Sequence, residues 1–297
     1  MARKIILVRH GQAYNSVDHD GQRIVQDDAN ARAATQEDLQ KWLADTRLAG
    51  DVATDRSSNI NNLRGLARRN PYYMFGLDLD GHWDEEALLE LMHQKVGISP
   101  DPNFIEGQDT IDPALTVRAL TRFARAFAQT IDKGGSILFA TGHPAGLGAL
   151  HTCLADFARG HGANVLELHE LLPHAHYPQD LPDEGGDVRQ LNSVCMRYRG
   201  GNLLHTHSSA DGEQLLDALE RVGVVPDLVV ADHGWAGAAG ARGICAIGFA
   251  DCNDPALFVG EAQGDIVAAV PIDDGLHADL YEPVASYIEE EARRYLG

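Results

Sequence analysis

The chain has 297 residues, 44% of them hydrophobic, which is enough apolar sequence to bury a large core and excludes an intrinsically disordered protein. Acidic residues outnumber basic ones and the formal net charge is −20, so we expect neither nucleic acid nor an anionic membrane as a partner. No apolar run reaches the length of a membrane span, and Ile5 to Val8 is too short for a secretory signal, so the sequence predicts a cytoplasmic protein.

The first part of the chain predicts one early strand followed by several helices. Arg3 to Val8 is a candidate strand that leads into Arg9-His10-Gly11. Capping residues and apolar periodicity then predict four helices, over about Thr35 to Leu48, Ser57 to Arg69, Asp84 to Gly97 and Ala114 to Asp132. The segments between these helices are predicted to be loops.

A strand, a glycine-rich loop and a helix are predicted after Gly134-Gly135. Ile137 to Ala140 is a short apolar run, the loop that follows contains His143, and an alanine-rich stretch continues to Phe157. Residues 164–168 form a second strand candidate, so the whole is a plausible βαβ unit. The loop then lies at the carboxyl end of a strand, where open α/β sheets bind ligands and helix N–H groups favour an anion.

The second part of the chain continues the alternation of strands and helices after a predicted connecting loop at 169–187. Strands are expected near 202–205, 227–231, 243–249 and 266–270, and helices over 211–222 and 281–296. This alternation predicts an α/β fold with a doubly wound, mostly parallel, Rossmann-like sheet. We divide it into an N-terminal lobe, 1–168, and a C-terminal lobe, 188–297, with one continuous domain as the alternative.

Three predicted strand ends carry a histidine beside a glycine. They are Arg9-His10-Gly11, Gly142-His143 and Asp232-His233-Gly234. If the three strands are neighbours, these groups meet at the ligand-binding edge of a parallel sheet, with His10 and His143 facing one pocket. Gly142, Gly146 and Gly234 are then candidates for backbone contacts to a phosphate group.

The first strand and its Arg9-His10-Gly11 resemble the signature of the histidine phosphatase and phosphoglycerate mutase superfamily. That resemblance implies that His10 is the nucleophile that takes the phosphoryl group, while Arg9 and His143 hold its oxygens. It further implies that Glu106 is the general acid for the leaving alcohol. Arg56 or Arg64 would supply an additional phosphate-binding arginine.

From about Leu39 to Leu296, the chain also resembles a family of bacterial phosphatases that is common in actinobacteria. The similar stretches include Thr141-Gly-His-Pro144, 232–240 and 249–258. This resemblance implies phosphatase activity. Asp232, Asp251, Asn253 and Asp254 are oxygen ligands of the kind that Mg²⁺ takes, and we expect these acids to lie with His233 near the His143 loop.

The sequence therefore favours a phosphatase that hydrolyses a phosphomonoester of a small metabolite without a cofactor. A phosphatase that uses Mg²⁺ bound by the Asp232, Asp251 and Asp254 cluster is one alternative. A sugar- or nucleotide-phosphate binding or isomerase module is the other. His205 and His207 are separated by one residue, so they could lie on the same face of a strand and bind a metal ion. The pattern nevertheless favours an ordinary polar strand end.

Overall fold

The structure is a computed structural model that describes residues 35–182 and 185–296, and the backbone of two short strands before them. These strands, Ser16–Val17 (β1) and Arg23–Ile24 (β2), pair antiparallel within a separate compact unit, Met1–Thr35. The predicted first strand, with Arg9 and His10, lies outside the described residues. All that follows concerns the second unit, Gln36–Gly297.

The helices predicted before residue 133 are present, and their capping residues explain where they begin and end. The elements are α1 (Gln36–Asp45), β3 (Gly50–Asp55), α2 (Arg56–Ala67), α3 (Pro71–Met74), α4 (Glu85–Val96), β4 (Gln108–Ile111) and α5 (Pro113–Asp132). The Asp84 carboxylate accepts from Ala87 N–H at the start of α4, and Gly97 ends that helix in the left-handed conformation. The antiparallel pair β3–β4 was not predicted, because both strands lie in segments that the sequence pattern marks as loops.

The predicted βαβ unit is also present. It consists of β5 (Ser136–Ala140), α6 (Gly148–Gly160) and β6 (Asn164–Val165), and β6 lies parallel to the first residues of β5. The short helix α7 (Leu168–Leu171) follows within the segment predicted as a connecting loop. The glycine-rich loop at 141–147 therefore leaves the carboxyl end of β5, as its sequence predicted.

The rest of the chain completes a mixed, mostly parallel sheet. Its elements are β7 (Asp187–Leu191), β8 (Val194–Arg199), β9 (Asn202–Leu204), α8 (Ala210–Glu220), β10 (Leu228–Asp232), α9 (His233–Gly240), β11 (Ala246–Ala250), α10 (Pro255–Gln263), β12 (Ala268–Pro271) and α11 (Glu282–Arg293). The main strand order is β12-β11-β10-β5-β8-β7, and β9 pairs with β8. Neighbours from β12 to β8 run parallel, whereas β7 and β9 lie antiparallel to β8.

This arrangement is the mostly parallel α/β sheet that the alternation of strands and helices predicted. Strands from before and after 169–187 share it, since β5 lies between β10 and β8. The antiparallel hairpin β7–β8 was not predicted, because its strands have mixed polar and apolar residues and lack the continuous apolar run of a parallel strand.

The hydrophobic core surrounds the central strands. Every residue of β10, β11 and β12 is buried, as expected for parallel strands covered on both faces. Helix α5 contributes Phe123, which packs against Phe249 of β11, and Phe127, which meets Phe139 of β5 edge to face. Within 35–182 and 185–296, no helix combines the length and the apolar character needed to cross a bilayer.

Candidate active site

Polar side chains follow each of the neighbouring parallel strands at the same edge of the sheet. They are Thr141 and His143 after β5, Asp232 and His233 at the end of β10, Asp251 and Asp254 after β11, and Asp273 and Asp274 after β12. The strands themselves are buried, so these residues are the first positions where polar groups can face a cleft. The predicted convergence of Asp232, His233, Asp251 and Asp254 near the His143 loop is confirmed by the pairing of β10 with both β5 and β11.

The hairpin β8–β9 brings two more histidines to this edge. Strand β9 runs antiparallel to β8, so it leads the chain back toward the end of β5, where Thr206 N–H donates to the Gly142 carbonyl at 2.9 Å. His205 and His207 flank Thr206, and their ring centroids lie 4.1 and 5.3 Å from that of His143. His207 also stacks on His233 with a centroid distance of 4.2 Å.

Two glycines allow the backbone segments of the site to approach this closely. A Cβ atom on Gly142 would lie 2.1 Å from the Thr206 carbonyl oxygen, and one on Gly234 would lie 2.4 Å from the backbone of Ser208. Both distances are far below van der Waals contact, so a larger residue would displace the segment 205–208. Gly142 and Gly234 thus pack against the histidine-bearing loop, whereas Gly146 lines the cavity described below.

Asp232 orients two of the histidines from beneath the site. Its Oδ2 lies 3.0 Å from His143 Nδ1 and 3.3 Å from His233 Nδ1, and its Oδ1 accepts from Gly142 N–H at 2.8 Å. Burial opposes ionisation of Asp232, but the hydrogen bonds from His143 and His233 outweigh it and hold the pKa well below its ordinary value. An ionised carboxylate only accepts hydrogen bonds, so both imidazoles carry a proton on Nδ1.

The opposite ring nitrogens face carboxylates on the far side. His143 Nε2 lies 3.5 Å from Asp274 Oδ1, and His233 Nε2 lies 2.8 Å from Asp254 Oδ2 and 3.5 Å from Asp274 Oδ2. Asp274 Oδ2 is buried without a hydrogen-bond partner among the described residues. Burial raises the pKa of Asp274 to about 6, and Asp254 raises that of His233 well above its usual value against the effect of burial. A proton or a metal ion is therefore needed between these Nε2 atoms and the carboxylate oxygens that face them.

His205 and His207 provide neutral imidazole nitrogens at physiological pH. Burial, reinforced by the neighbouring imidazoles, lowers the pKa of His205 to about 4 and that of His207 to about 3. Their Nε2 atoms are 2.9 Å apart. A neutral imidazole has one nitrogen lone pair available, and this form binds metal ions.

Six of these side chains form three overlapping sets that are compact enough to bind a metal ion. The sets are His143, His205 and His207; His143, His233 and Asp274; and His207, His233 and Asp254. Within each set, the donor atoms all lie within 4.8 Å of one another. The mixture of imidazole and carboxylate donors is suited to Zn²⁺, Mn²⁺ or Fe²⁺, whereas Mg²⁺ prefers oxygen donors alone.

The cluster opens into a cavity of about 620 Å³. Five residues of the cluster line it: His143, His205, His207, Asp254 and Asp274. The remaining lining residues are Ala53, Thr54, Asp55, Ser58, Pro144, Ala145, Gly146, Leu203, Asp251, Asn253, Asp273, Gly275 and Leu276. The described part of the lining thus contains several carboxylates but neither lysine nor arginine.

The four predicted metal ligands differ in their hydrogen-bond partners and in their access to the cavity. Asp254 faces His233, as a ligand would, and Asn253 lines the cavity. Asp251 also lines it, but its oxygens accept from the Thr54 hydroxyl and from Cys252 N–H. Asp232 lies behind the imidazoles with both oxygens hydrogen-bonded to protein groups, so its position is that of a support for the ligands.

The predicted phosphate-binding arginines need correction. Arg56 is fully buried, and its guanidinium is paired with Asp109 at 2.6 Å, so it is inaccessible to a substrate. Arg64 pairs with Glu85 at 3.2 Å and lines a separate cavity between α2 and α4. Glu106, the predicted general acid, is exposed and does not line the histidine-containing cavity.

The sequence analysis did not assign His205, His207, Asp273 or Asp274 to the site. The spacing His205-Thr206-His207 was a usable signal, because alternate residues of an extended segment face the same side. Asp273-Asp274 also follows a predicted strand, and polar residues at the carboxyl ends of parallel strands are candidates for a ligand site. The same reasoning that selected the acids after β10 and β11 therefore applies to this pair.

Comparisons with known proteins indicate the family of this chain. A family model described as Phosphatase matches residues 34–295, a range that contains every residue of the cluster but neither Arg9 nor His10. A Streptomyces coelicolor protein named Phosphatase SCO2771 is 42% identical over 258 residues, which cover 86% of this chain and 95% of that protein.

Proposed function

The chain belongs to the Phosphatase family, and from this premise we propose that it hydrolyses phosphomonoesters of small metabolites at the His143–Asp274 cluster with the help of bound divalent cations. The observation that carries the proposal is the convergence of four histidines and two aspartates whose donor atoms form three compact sets beside one cavity.

The charge of the cavity supports a role for metal ions. A phosphomonoester is a dianion near neutral pH, yet the described lining offers five carboxylates, from Asp55, Asp251, Asp254, Asp273 and Asp274, and no basic side chain except histidine. Cations held by the imidazoles would offset part of this local charge. If bound there, divalent ions would supply polarisation of the phosphoryl oxygens and a lower pKa of a bound water.

Some residues of the cavity would bind these ions, and others would contact the substrate. His143, His205, His207, His233, Asp254 and Asp274 are the candidate ligands, and Asp232 holds two of them in one tautomer. The donor set favours Zn²⁺ or Mn²⁺ over the Mg²⁺ that the sequence suggested. On the wall of the cavity, Pro144, Leu203 and Leu276 provide apolar contacts for the remainder of a substrate.

The size of the cavity supports a small substrate. A volume of about 620 Å³ is within the range of small-molecule sites and would enclose a phosphorylated sugar or alcohol of similar size. An acidic lining would disfavour substrates that carry further negative charges. We therefore propose a phosphorylated neutral or amine-bearing metabolite as the substrate class.

The experiment is hydrolysis of p-nitrophenyl phosphate and of a panel of metabolite phosphates before and after treatment with EDTA. We expect loss of activity with the chelator, recovery with Zn²⁺ or Mn²⁺, and a decrease of at least 100-fold for His207→Ala. His169→Ala is the matched control, since His169 is exposed on α7 and is absent from the cavity lining. Full activity of chelated protein, or of His207→Ala, would contradict the proposal.

A metal-free histidine phosphatase is the second candidate, and the His143–Asp232 pair favours it. That hydrogen bond of 3.0 Å engages Nδ1 of His143, a residue of the cavity lining, and leaves Nε2 as the nitrogen that could hold a phosphoryl group. The mechanism implied by the first resemblance also needs His10 and Arg9, which lie outside the described residues, so their proximity to His143 stays a prediction. A folded His10→Ala variant that keeps most of its rate would eliminate this candidate, and a loss of several orders of magnitude would support it.

A further inference from the structure

We propose that Tyr281 is a positioning residue of the site, because its hydroxyl is hydrogen-bonded to both ends of the segment 273–276 and so holds Asp274 beside the histidines. The inference deepens the proposed function and rests on it, since Asp274 is one of the candidate metal ligands. The described lining of the cavity does not include Tyr281, so its effect on the chemistry is exerted through Asp274.

Asp274 lies between two of the histidines. Its Oδ1 lies 3.5 Å from His143 Nε2, and its Oδ2 lies 3.5 Å from His233 Nε2. Ligands at about 2.1 Å from a tetrahedral ion are roughly 3.4 Å apart, so each of these pairs has the separation of two ligands of one ion. Functional groups of this kind must be held to within about 0.5 Å of the productive geometry. The position of the Asp274 carboxylate is therefore critical.

Hydrogen bonds of its own do not fix the Asp274 carboxylate. Its Oδ2 is buried and has no hydrogen-bond partner among the described residues. The separations of 3.5 Å from the imidazole nitrogens exceed the usual length of a hydrogen bond. Asp232, by contrast, is hydrogen-bonded at both oxygens. Because the side chain of Asp274 is short, the backbone of residue 274 largely decides where its carboxylate lies.

The backbone on both sides of Asp274 is bound to one hydroxyl group. Tyr281 Oη donates to the Asp273 carbonyl at 2.7 Å and accepts from Leu276 N–H at 3.2 Å. A phenol hydroxyl can donate and accept at once, and here both capacities serve the same segment. The Tyr281 side chain is fully buried, so its ring is held by the core. The hydroxyl thus fixes the segment 273–276 relative to the core.

The same segment packs against the loop that carries His143. A Cβ atom on Gly146, in that loop, would lie 2.4 Å from the Asp274 carbonyl oxygen. The two backbones are therefore in direct contact, and a shift of one changes the distance between Asp274 and His143. Tyr281 holds the segment from one side, and the loop at 141–147 limits it from the other.

Removal of the Tyr281 hydroxyl would leave two backbone groups without their partner. The Asp273 carbonyl and Leu276 N–H would have to find water or another protein group, since an unsatisfied buried polar group is costly. The segment would move to reach such partners, and Asp274 would move with it. Tyr281→Phe keeps the aromatic ring in the core, so it confines the change to this segment.

The test is the Zn²⁺ affinity of the full-length Tyr281→Phe protein, measured by competition with a chromophoric chelator. We expect a decrease of about 10- to 100-fold, the usual effect of losing a group that orients a metal ligand. Tyr287→Phe is the matched control, because Tyr287 is also buried and its hydroxyl contacts Thr121 and Gln36, away from the cavity. We expect both variants to have a lower Tm, but only Tyr281→Phe to bind Zn²⁺ more weakly.

A double-mutant cycle shows whether Tyr281 acts through Asp274. In an Asp274→Ala protein, the further change Tyr281→Phe should alter the Zn²⁺ affinity by less than about twofold, because the ligand that the hydroxyl positions is absent. An equal decrease with and without the Asp274 carboxylate would show that Tyr281 acts by another route and would overturn the inference.

Gly146→Ala tests the same segment from the opposite side, and it replaces Tyr281→Phe if that variant does not fold. The added Cβ would displace the Asp274 carbonyl, so we expect a decrease in Zn²⁺ affinity of similar size. Gly160→Ala is its control, since a Cβ atom there meets nothing within 4 Å. Circular dichroism verifies that each variant is folded.

The outcomes distinguish this inference from the proposed function. Wild-type Zn²⁺ affinity in a folded Tyr281→Phe protein would overturn the inference and leave the proposed function intact. The same result in Gly146→Ala would overturn it if Tyr281→Phe does not fold. A wild-type protein that binds no cation and keeps its activity in EDTA would contradict the proposed function and the inference together.

Discussion

At the scale of single residues, Asp232 is the clearest case of a side chain that acts through its neighbours. Its carboxylate accepts from Nδ1–H of both His143 and His233, and it is completely buried. Asp232→Asn keeps the shape of the side chain but weakens the acceptor that fixes both tautomers. Because supporting groups of this kind typically contribute 10- to 100-fold in metal affinity, we expect the affinity for Zn²⁺ to decrease by about that factor.

The measurement for Asp232→Asn is competition for Zn²⁺ with a chromophoric chelator. Asp227→Asn is a suitable control, since Asp227 lies just before the same strand and its side chain accepts from Ser136, away from the cavity. Unchanged affinity in Asp232→Asn would show that Asp232 does not orient ligands.

Arg56 and Arg64 show how differently two arginines of one helix can contribute to stability. The Arg56 guanidinium is fully buried against Asp109, whereas Arg64 and Glu85 are both about half exposed. Arg56→Ala leaves the Asp109 charge buried without its partner, so we expect the free energy of unfolding to decrease by about 3–5 kcal/mol. For Arg64→Ala we expect a change of about 0.5 kcal/mol or less.

Urea denaturation of the two arginine variants checks this difference. A destabilisation of Arg56→Ala no larger than that of Arg64→Ala would contradict the structural role assigned to Arg56. The measurement also tests whether Arg56 is structural, because an arginine that binds substrate in an open cavity would affect KM more than stability.

At the scale of secondary-structure elements, the site depends on the contact between the β5–α6 loop and the segment that follows β9. Gly142 allows this contact, because any Cβ atom there would lie 2.1 Å from the Thr206 carbonyl oxygen. Gly142→Ala must move the segment that carries His205 and His207. We expect a loss of about 1–3 kcal/mol in stability and the loss of at least one bound ion.

Thermal unfolding and metal content together test the Gly142→Ala prediction. Gly160→Ala serves as its control, because a Cβ atom at this position at the end of α6 meets nothing within 4 Å. A Gly142→Ala variant with wild-type metal content and stability would show that the two segments are not held together by this contact.

At the scale of the whole molecule, the buried carboxylates should make stability depend on bound cations. A ligand that binds only the folded state at 100 times its Kd stabilises it by about 2.7 kcal/mol. For a domain of this size, each kcal/mol corresponds to about 2–4 °C in Tm, so we expect saturating Zn²⁺ or Mn²⁺ to raise Tm by roughly 5–10 °C.

Scanning calorimetry of chelated and reconstituted protein measures this shift. The combined variant of His207 and Asp254, each changed to alanine, should show a markedly smaller increase, because it lacks two proposed ligands. An equal Tm with and without cations in the wild-type protein would indicate that no cation binds the folded state preferentially.

The amino-acid sequence alone was sufficient to predict the α/β fold class, most of the helices and the βαβ unit at 136–165. These features depend on local periodicity, capping residues and apolar runs, all of which are visible along the chain. For the same reason, the sequence placed His143, Asp232, His233 and Asp254 at strand ends, where a shared edge could bring them together.

The ligand set and the roles of its members depended on contacts between distant segments. His205 and His207 reach His143 because β9 runs antiparallel beside β8. Asp232 holds His143 and His233 in place because both imidazoles are hydrogen-bonded to its Oδ2. Arg56 was predicted to bind phosphate but is paired with Asp109, which is 53 residues further along the chain. Strand order, burial and side-chain pairing decide such roles, and they arise from packing between segments far apart in sequence.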